Sequence, residues 1–190
     1  MPYVRRSRKS RKAYSLVKPV RYSAETFSTS AQIISDTTNS HGQFKIDLIP
    51  IVAGNLGTRK VKNFTLRFFC GETEEQTPIP ETEPQEWTLV SSQRSCVFFF
   101  LVYVPEGTLP HDPNIGTGIT AVSCYEPNQN VIMSGIIDNQ QIYNFKTRLG
   151  RNLQSGDTIG LVLLDATTFT TEGNRVVTPV NFSISYAISF

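Results

Sequence analysis

The last eleven residues alternate strictly between apolar and small polar side chains. Val180, Phe182, Ile184, Tyr186, Ile188 and Phe190 are separated by Asn181, Ser183, Ser185, Ala187 and Ser189. A period of two puts one set on a core and the other on solvent or a partner, and no helix satisfies it. The same period recurs in Phe44, Ile46 and Leu48, and again in Phe64, Leu66 and Phe68. Nowhere does a helical period persist over three turns. Two further runs, Val97 to Val104 and Ile159 to Leu164, are apolar on both faces. Such strands need cover on both sides, and in a small domain a neighbouring subunit is one source of the second cover.

Turn-forming clusters punctuate these runs, among them 39–42, 54–57, 105–107, 127–130, 155–157 and 172–174. The spacing predicts strands over roughly 26–35, 43–52, 60–70, 87–91, 96–104, 119–124, 130–137, 141–148, 158–166 and 176–190. Many short strands at this spacing mean an all-β sandwich or barrel. The long connections near 71–86 and 105–118 do not suit a meander. They fit a Greek-key β-sandwich, a single eight-stranded antiparallel jelly roll. It occupies residues 23–190, and residues 1–22 form a separate arm.

Charge divides the chain at the same point. Arg5, Arg6, Arg8, Lys9, Arg11, Lys12, Lys18 and Arg21 give the arm eight positive charges, and the first acid is Glu25. The whole chain has 18 Lys and Arg against 16 Asp and Glu, so the arm is +8 and the body −6. The arm has no hydrophobic periodicity and is expected to adapt to a polyanion instead of folding alone. Arg and Lys would sit on phosphates, while Tyr3 and Tyr14 stack on unpaired bases. Nuclear import receptors also read basic clusters of this kind. A solvated tail or a mitochondrial presequence is the plainer alternative. A secretory signal would need an apolar segment after the charges, which is missing. No apolar run approaches the ~18 residues that span a bilayer, so no membrane partner is expected.

Residues 71–86 hold Glu72, Glu74, Glu75, Glu81, Glu83 and Glu86 among Pro78, Pro80 and Pro84. The prolines and like charges predict an exposed loop, not a ladder strand, placed away from the arm. Its spacing matches no calcium loop. Lys60 and Lys62 share the parity of Phe64, Leu66 and Phe68, and Lys146 and Arg148 share one parity at another strand's end. They are either edge charges that discourage aggregation or an inner surface that supplements the arm.

Catalytic signatures are missing. The two histidines, His41 and His111, are isolated, and no zinc pair, nucleophile elbow, P-loop or dinucleotide fingerprint occurs. No cofactor or metal is implied, and the chain reads as a non-enzyme. Cys70, Cys96 and Cys124 are odd in number and far apart, which favours reduced thiols in an intracellular setting. Asn63-Phe64-Thr65 and Asn181-Phe182-Ser183 match the glycosylation pattern but fall within predicted strands, so the match is coincidental.

The run 59–66 (Arg-Lys-Val-Lys-Asn-Phe-Thr-Leu) resembles the basic run before the third strand in capsid proteins of circoviruses. Segments 125–135 and 150–159 are similar to later parts of capsid proteins from circular, replication-initiator-encoding single-stranded DNA viruses. The chain has a shorter arm and a shorter length than typical circovirus capsids. The resemblance implies a jelly-roll subunit that closes, in 60 copies, into an icosahedral T=1 shell with its arms inside. It implies a single-stranded DNA genome (RNA as the variant) and residence in the virion and the host nucleus. Arg5, Arg6, Arg8, Lys9, Arg11, Lys12, Tyr14, Lys18, Arg21, Lys60 and Lys62 are the expected nucleic-acid-binding residues. The competing expectation is a non-assembling nucleic-acid-binding β domain, ribosome- or chromatin-associated. A jelly-roll hydrolase or sugar-binding domain would leave the arm unexplained.

Overall fold

A computed structural model describes residues 21–36, 42–49, 57–106, 117–118, 121–122, 130–165 and 173–189. Among these there is no helix, and thirteen strands are present. Eight of them form the frame: β1 (Ser23–Ser35), β2 (Gln43–Ile49), β3 (Arg59–Cys70), β6 (Cys96–Val104), β9 (Asn130–Asp138), β10 (Ile142–Thr147), β12 (Thr158–Asp165) and β13 (Arg175–Ser189). Within that frame the first strand pairs with the eighth and the second with the seventh. The third pairs with the sixth and the fourth with the fifth. This is one long antiparallel ribbon rolled on itself, which is what defines a jelly roll. Two further pairings, β13 with β3 and β12 with β6, close it into sheets ordered β1-β13-β3-β10 and β2-β12-β6-β9.

The alternation reads directly onto these sheets. Phe64, Leu66 and Phe68 of β3 and Phe182 and Ile184 of β13 face Phe99 and Leu101 of β6 and Leu161 and Leu163 of β12 in one core. Aromatic rings stitch the two layers together. The Phe68 and Phe99 centroids lie 4.9 Å apart, and those of Phe99 and Phe145 lie 4.5 Å apart. Such pairs add about 0.5–1.5 kcal/mol each beyond burial. The doubly apolar strands β6 and β12 are buried on both sides. Their outward residues Phe100, Val102, Val104 and Val162 form a second cluster. Phe100 is 1% exposed within the single chain, so no neighbouring subunit is needed to cover it.

Two expectations are overturned. Residues 71–86 are not a loop throughout, because β4 (Thr73–Pro78) and β5 (Trp87–Gln93) form a hairpin there. β4 continues β3 along the same edge of β13, and β5 pairs β4. The prolines do not forbid it. Pro78 ends the strand, and Pro80 and Pro84 fall in the connection. Thr73 is buried and its hydroxyl lies 2.9 Å from that of Thr178. Thr178 in turn donates to the buried carboxylate of Asp165, which also accepts from Ser95 Oγ at 2.9 Å. Neighbours absorb the like charges as well, since Glu75 accepts from Asn174 Nδ2 at 2.8 Å and from Ser91 Oγ at 3.1 Å. The strand expected over 119–124 is described only at Ala121–Val122 (β8), which pairs Thr117–Gly118 (β7). A short β11 (Arg151–Leu153), not expected, pairs the start of β3.

The second correction concerns parity within β3. Asn63 adopts a φ of 58°, and the pairing with β13 shifts between Ser185 and Ala187. Two residues of β3 oppose one of β13 there, which defines a bulge. Val61 is therefore buried on the core side, while Lys60 and Lys62 turn to the outer face. Side chains on either side of a bulge no longer share parity, so Lys60 and Lys62 do not lie on the face of Phe64. Nor is β3 an edge strand, being flanked by β13 and by β10 and β11. Asn tolerates the left-handed region and a β-branched residue does not. Asn63→Val is expected to lose about 1–3 kcal/mol of stability in urea unfolding, while Asn63→Gly stays near wild type.

Candidate nucleic-acid interface

The outer face of the β1-β13-β3-β10 sheet is polar and basic toward the arm's end, with an exposed apolar pair, Phe69 and Ile142, farther along it. Register places Lys60, Lys62, Thr65, Arg67 and Phe69 of β3 on it. They lie beside Lys146 and Asn144 of β10 and beside Ser183, Ser185 and Asn181 of β13. Thr26, Ser28 and Ser30 of β1 complete the row. Among the described residues of these four strands, this face carries five cations, Lys60, Lys62, Arg67, Lys146 and, at the far end of β13, Arg175, and no carboxylate. Lys146 remains an edge charge as well, because β10 ends the sheet.

The charge concentrates where the arm joins. Arg21 and Tyr22 lead into β1, whose first residue pairs Ile188, while Lys60 pairs the adjacent Ser189. Lys62 Nζ sits 3.8 Å from the centroid of the Tyr22 ring. That contact is a cation–π pair tying the arm's root to the sheet. A cleft there is lined by Lys60, Lys62, Arg148, Gly150, Arg151 and Asn152. Gly150 lets it form. A Cβ at that position would lie 2.8 Å from Val61 O and 3.1 Å from Lys62 Cβ. With no side chain there, the β10–β11 connection lies against β3 and brings Arg148 and Arg151 beside the lysines.

Arg59 begins the same basic run but has a different role. It is 3% exposed and its charge acts on Asp157. Asp157 accepts from the Tyr103 hydroxyl at 2.7 Å, Gln154 N–H at 2.8 Å and Glu106 N–H at 3.0 Å. Burial alone would raise its carboxyl. The three hydrogen bonds and Arg59 outweigh burial and hold it below the ordinary carboxylate range. This clip joins the end of β6 to the β11–β12 turn and so holds the end of the sandwich that carries the cleft. Arg148 and Arg151 belong to the cleft, although sequence parity associated Arg148 only with Lys146 and did not single out Arg151.

Of the sequence-expected binding residues, the structure brings Arg21, Lys60 and Lys62 together at this end. Arg5, Arg6, Arg8, Lys9, Arg11, Lys12, Tyr14 and Lys18, with Tyr3, lie outside the described residues, as do His41, His111 and Cys124. The acidic β4 pairs Arg175–Val177, at the opposite end of β13 from Ser189. At the rise of an extended strand the two ends are about 40 Å apart. The acid is thus removed from the arm's root along the sheet, not by lying on its opposite face.

Among the described residues, no group of three His, Cys, Asp or Glu side chains is placed to hold a metal. Burial, reinforced by the charge of Asp165, pushes the Cys70 thiol up to about 12, and burial raises Cys96 as well. Thiols so held are poor nucleophiles.

No family model matches the chain, and no curated protein matches it in sequence. Three similar solved structures are viral. One is a virus-like particle of the nodavirus of the prawn Macrobrachium rosenbergii, at 8% identity and a TM-score of 0.32. It covers all of this chain and 95% of that one. The second is Desmodium yellow mottle tymovirus, at 10% identity and a TM-score of 0.25, with 98% of this chain and 94% of that one covered. The third is the Penaeus stylirostris densovirus capsid, at 9% identity and a TM-score of 0.28, with 98% and 89% covered. Likenesses at this level carry no argument about function.

Two outcomes test the site. Lys60→Ala and Lys62→Ala should each reduce the salt slope of oligothymidylate binding by about 0.7, measured by fluorescence anisotropy. A slope unchanged in both would remove the sheet from the interface. For Asp157, the lowered carboxyl contributes stability that is present above its unfolded-state pKa and is lost as pH falls through the folded value. Asp157→Asn should therefore melt earlier at neutral pH and show a flatter decline into acid than wild type, by calorimetry.

Proposed function

We propose that this chain is a viral capsid protein whose jelly-roll body self-assembles into a shell and whose basic arm packages nucleic acid. The observation that carries this reading is the division of charge. Eight cations and no acid precede a body of net charge −6, and the arm's root meets the basic end of a sheet face. A polyanion held this way is neutralised by an adaptable segment while the folded body remains free to contact copies of itself.

The finer reading is an icosahedral T=1 shell of 60 subunits around a single-stranded DNA genome. Sixty arms would present roughly 480 positive charges to the interior, enough to neutralise a substantial part of a small genome. Tyr3 and Tyr14 suit unpaired bases, which favours a single strand over a duplex. Assembly coupled to phosphate neutralisation weakens with rising salt. Arms so basic also suit import receptors, consistent with assembly in the host nucleus and residence in the virion. The chain acts as a structural protein with no catalytic role.

Negative-stain microscopy and the 260/280 nm absorbance ratio, taken on the same purified protein, test this. Uniform round particles with raised 260 nm absorbance are expected. A chain lacking residues 1–22 should stay folded by circular dichroism and lose most of the bound nucleic acid. A species of tens of kilodaltons that binds nucleic acid without forming particles at low and moderate salt would establish the non-assembling β domain instead. Unchanged nucleic-acid content without the arm would remove its role.

A further inference from the structure

The hairpin that the sequence conceals leaves an open sheet edge. β5 (Trp87–Gln93) ends the sheet, pairing only β4 among the described residues. Its seven residues, Trp-Thr-Leu-Val-Ser-Ser-Gln, include no charge and no proline. Leu89 is 56% and Val90 54% exposed. A free edge of this kind presents unpaired N–H and C=O groups, and soluble proteins ordinarily blunt it with lysine, proline, a bulge or a covering element. One bulge is present, with Val90 the extra residue opposite Glu75 and Gln76. The charges lie just outside the strand instead, with Glu86 before it and Arg94 after it, both exposed.

That placement suits a second copy of the same edge. If two copies of the edge pair antiparallel about Val90, each Glu86 falls opposite the other copy's Arg94. Thr88 then meets Ser92 and Leu89 meets Ser91. Both ends of the pairing gain an opposite-charge contact and no like charges meet. The exposed Val90 side chains meet on the two-fold axis. Parallel pairing in register would instead set Glu86 against Glu86 and Arg94 against Arg94. We infer that β5 is a two-fold self-association edge, at which a second copy of this chain adds its own β5 antiparallel and joins the two sheets into one. This rests on the capsid reading only in taking a second copy as the partner. It assigns the contact to one strand. The acidic β4–β5 hairpin then lies at a subunit junction, at the far end of the sheet from the basic cleft.

The full-length chain tests it with two sets of variants. Val90→Cys puts two thiols face to face at the axis, and directly opposed residues of antiparallel strands come within disulfide range. Mild oxidation should convert it to a covalent dimer on a non-reducing gel, while wild type, which keeps its native cysteines, stays uncross-linked. Glu86→Arg and Arg94→Glu should each weaken self-association about tenfold by sedimentation, since each sets like charges opposite at both ends. The combined E86R/R94E variant should recover it to within about threefold. A Val90→Cys chain that does not cross-link, or a double reversal no better than the singles, overturns the inference. Microscopy of the Val90→Cys protein separates this from the capsid reading. Particles without cross-links leave that reading standing and remove the β5 contact. Cross-linked dimers without particles do the reverse.

Discussion

The structure depends on one strand. β13 pairs β1 from Ser35↔Val176 to Ser23↔Ile188, and on its other side pairs β3 and then β4. Every member of the first sheet therefore pairs β13 directly or a strand that does. Its inward residues Val180, Phe182, Ile184 and Ile188 also supply the core. A strand that hydrogen-bonds on both edges and buries one face is fixed in register, since a one-residue slip would turn its phenylalanine and isoleucines to solvent. Fixing β13 fixes where the arm leaves the body, because β1 begins opposite β13's last residues.

The same strand separates the charges. Its C-terminal end lies between the arm's root and the cleft of Lys60, Lys62, Arg148 and Arg151. Its N-terminal end pairs Glu74 and Glu75. At about 40 Å, well beyond the screening length of about 8 Å in physiological salt, the acid does not offset the cations at the other end. In the proposed function a polyanion meets the basic arm and this basic end, while the acidic hairpin is left for other contacts. In the capsid reading, one end of each subunit serves the genome and the other a neighbouring subunit.

Much of this was legible in the sequence, and the parts that were not have local physical causes. Alternation revealed β2, β3 and β13, and doubly apolar runs revealed β6 and β12, because burial imposes those patterns directly. The rolled pairing followed from long connections that a meander does not use. β4 was hidden because its stabilising partners are distant in sequence. Thr73 is held by Thr178, which donates to Asp165, and no local pattern of glutamates and prolines announces that. The face of Lys60 and Lys62 was misassigned because parity was carried across Asn63. An asparagine between a basic run and an apolar alternation was the available signal for a bulge. Arg151 was missed as a cleft residue because its approach depends on Gly150, whose missing side chain matters only once β3 lies against it.

In the proposed function, a jelly-roll shell holds nucleic acid against the arm's root and the basic end of the sheet face. The most direct measurement is a cryo-electron microscopy reconstruction of particles assembled from the full-length chain. A closed shell is expected, with the Lys60, Lys62 and Arg148 face toward the lumen and nucleic-acid density against it. A shell with that face on its outer surface, or a lumen with no nucleic-acid density beside it, would overturn that role.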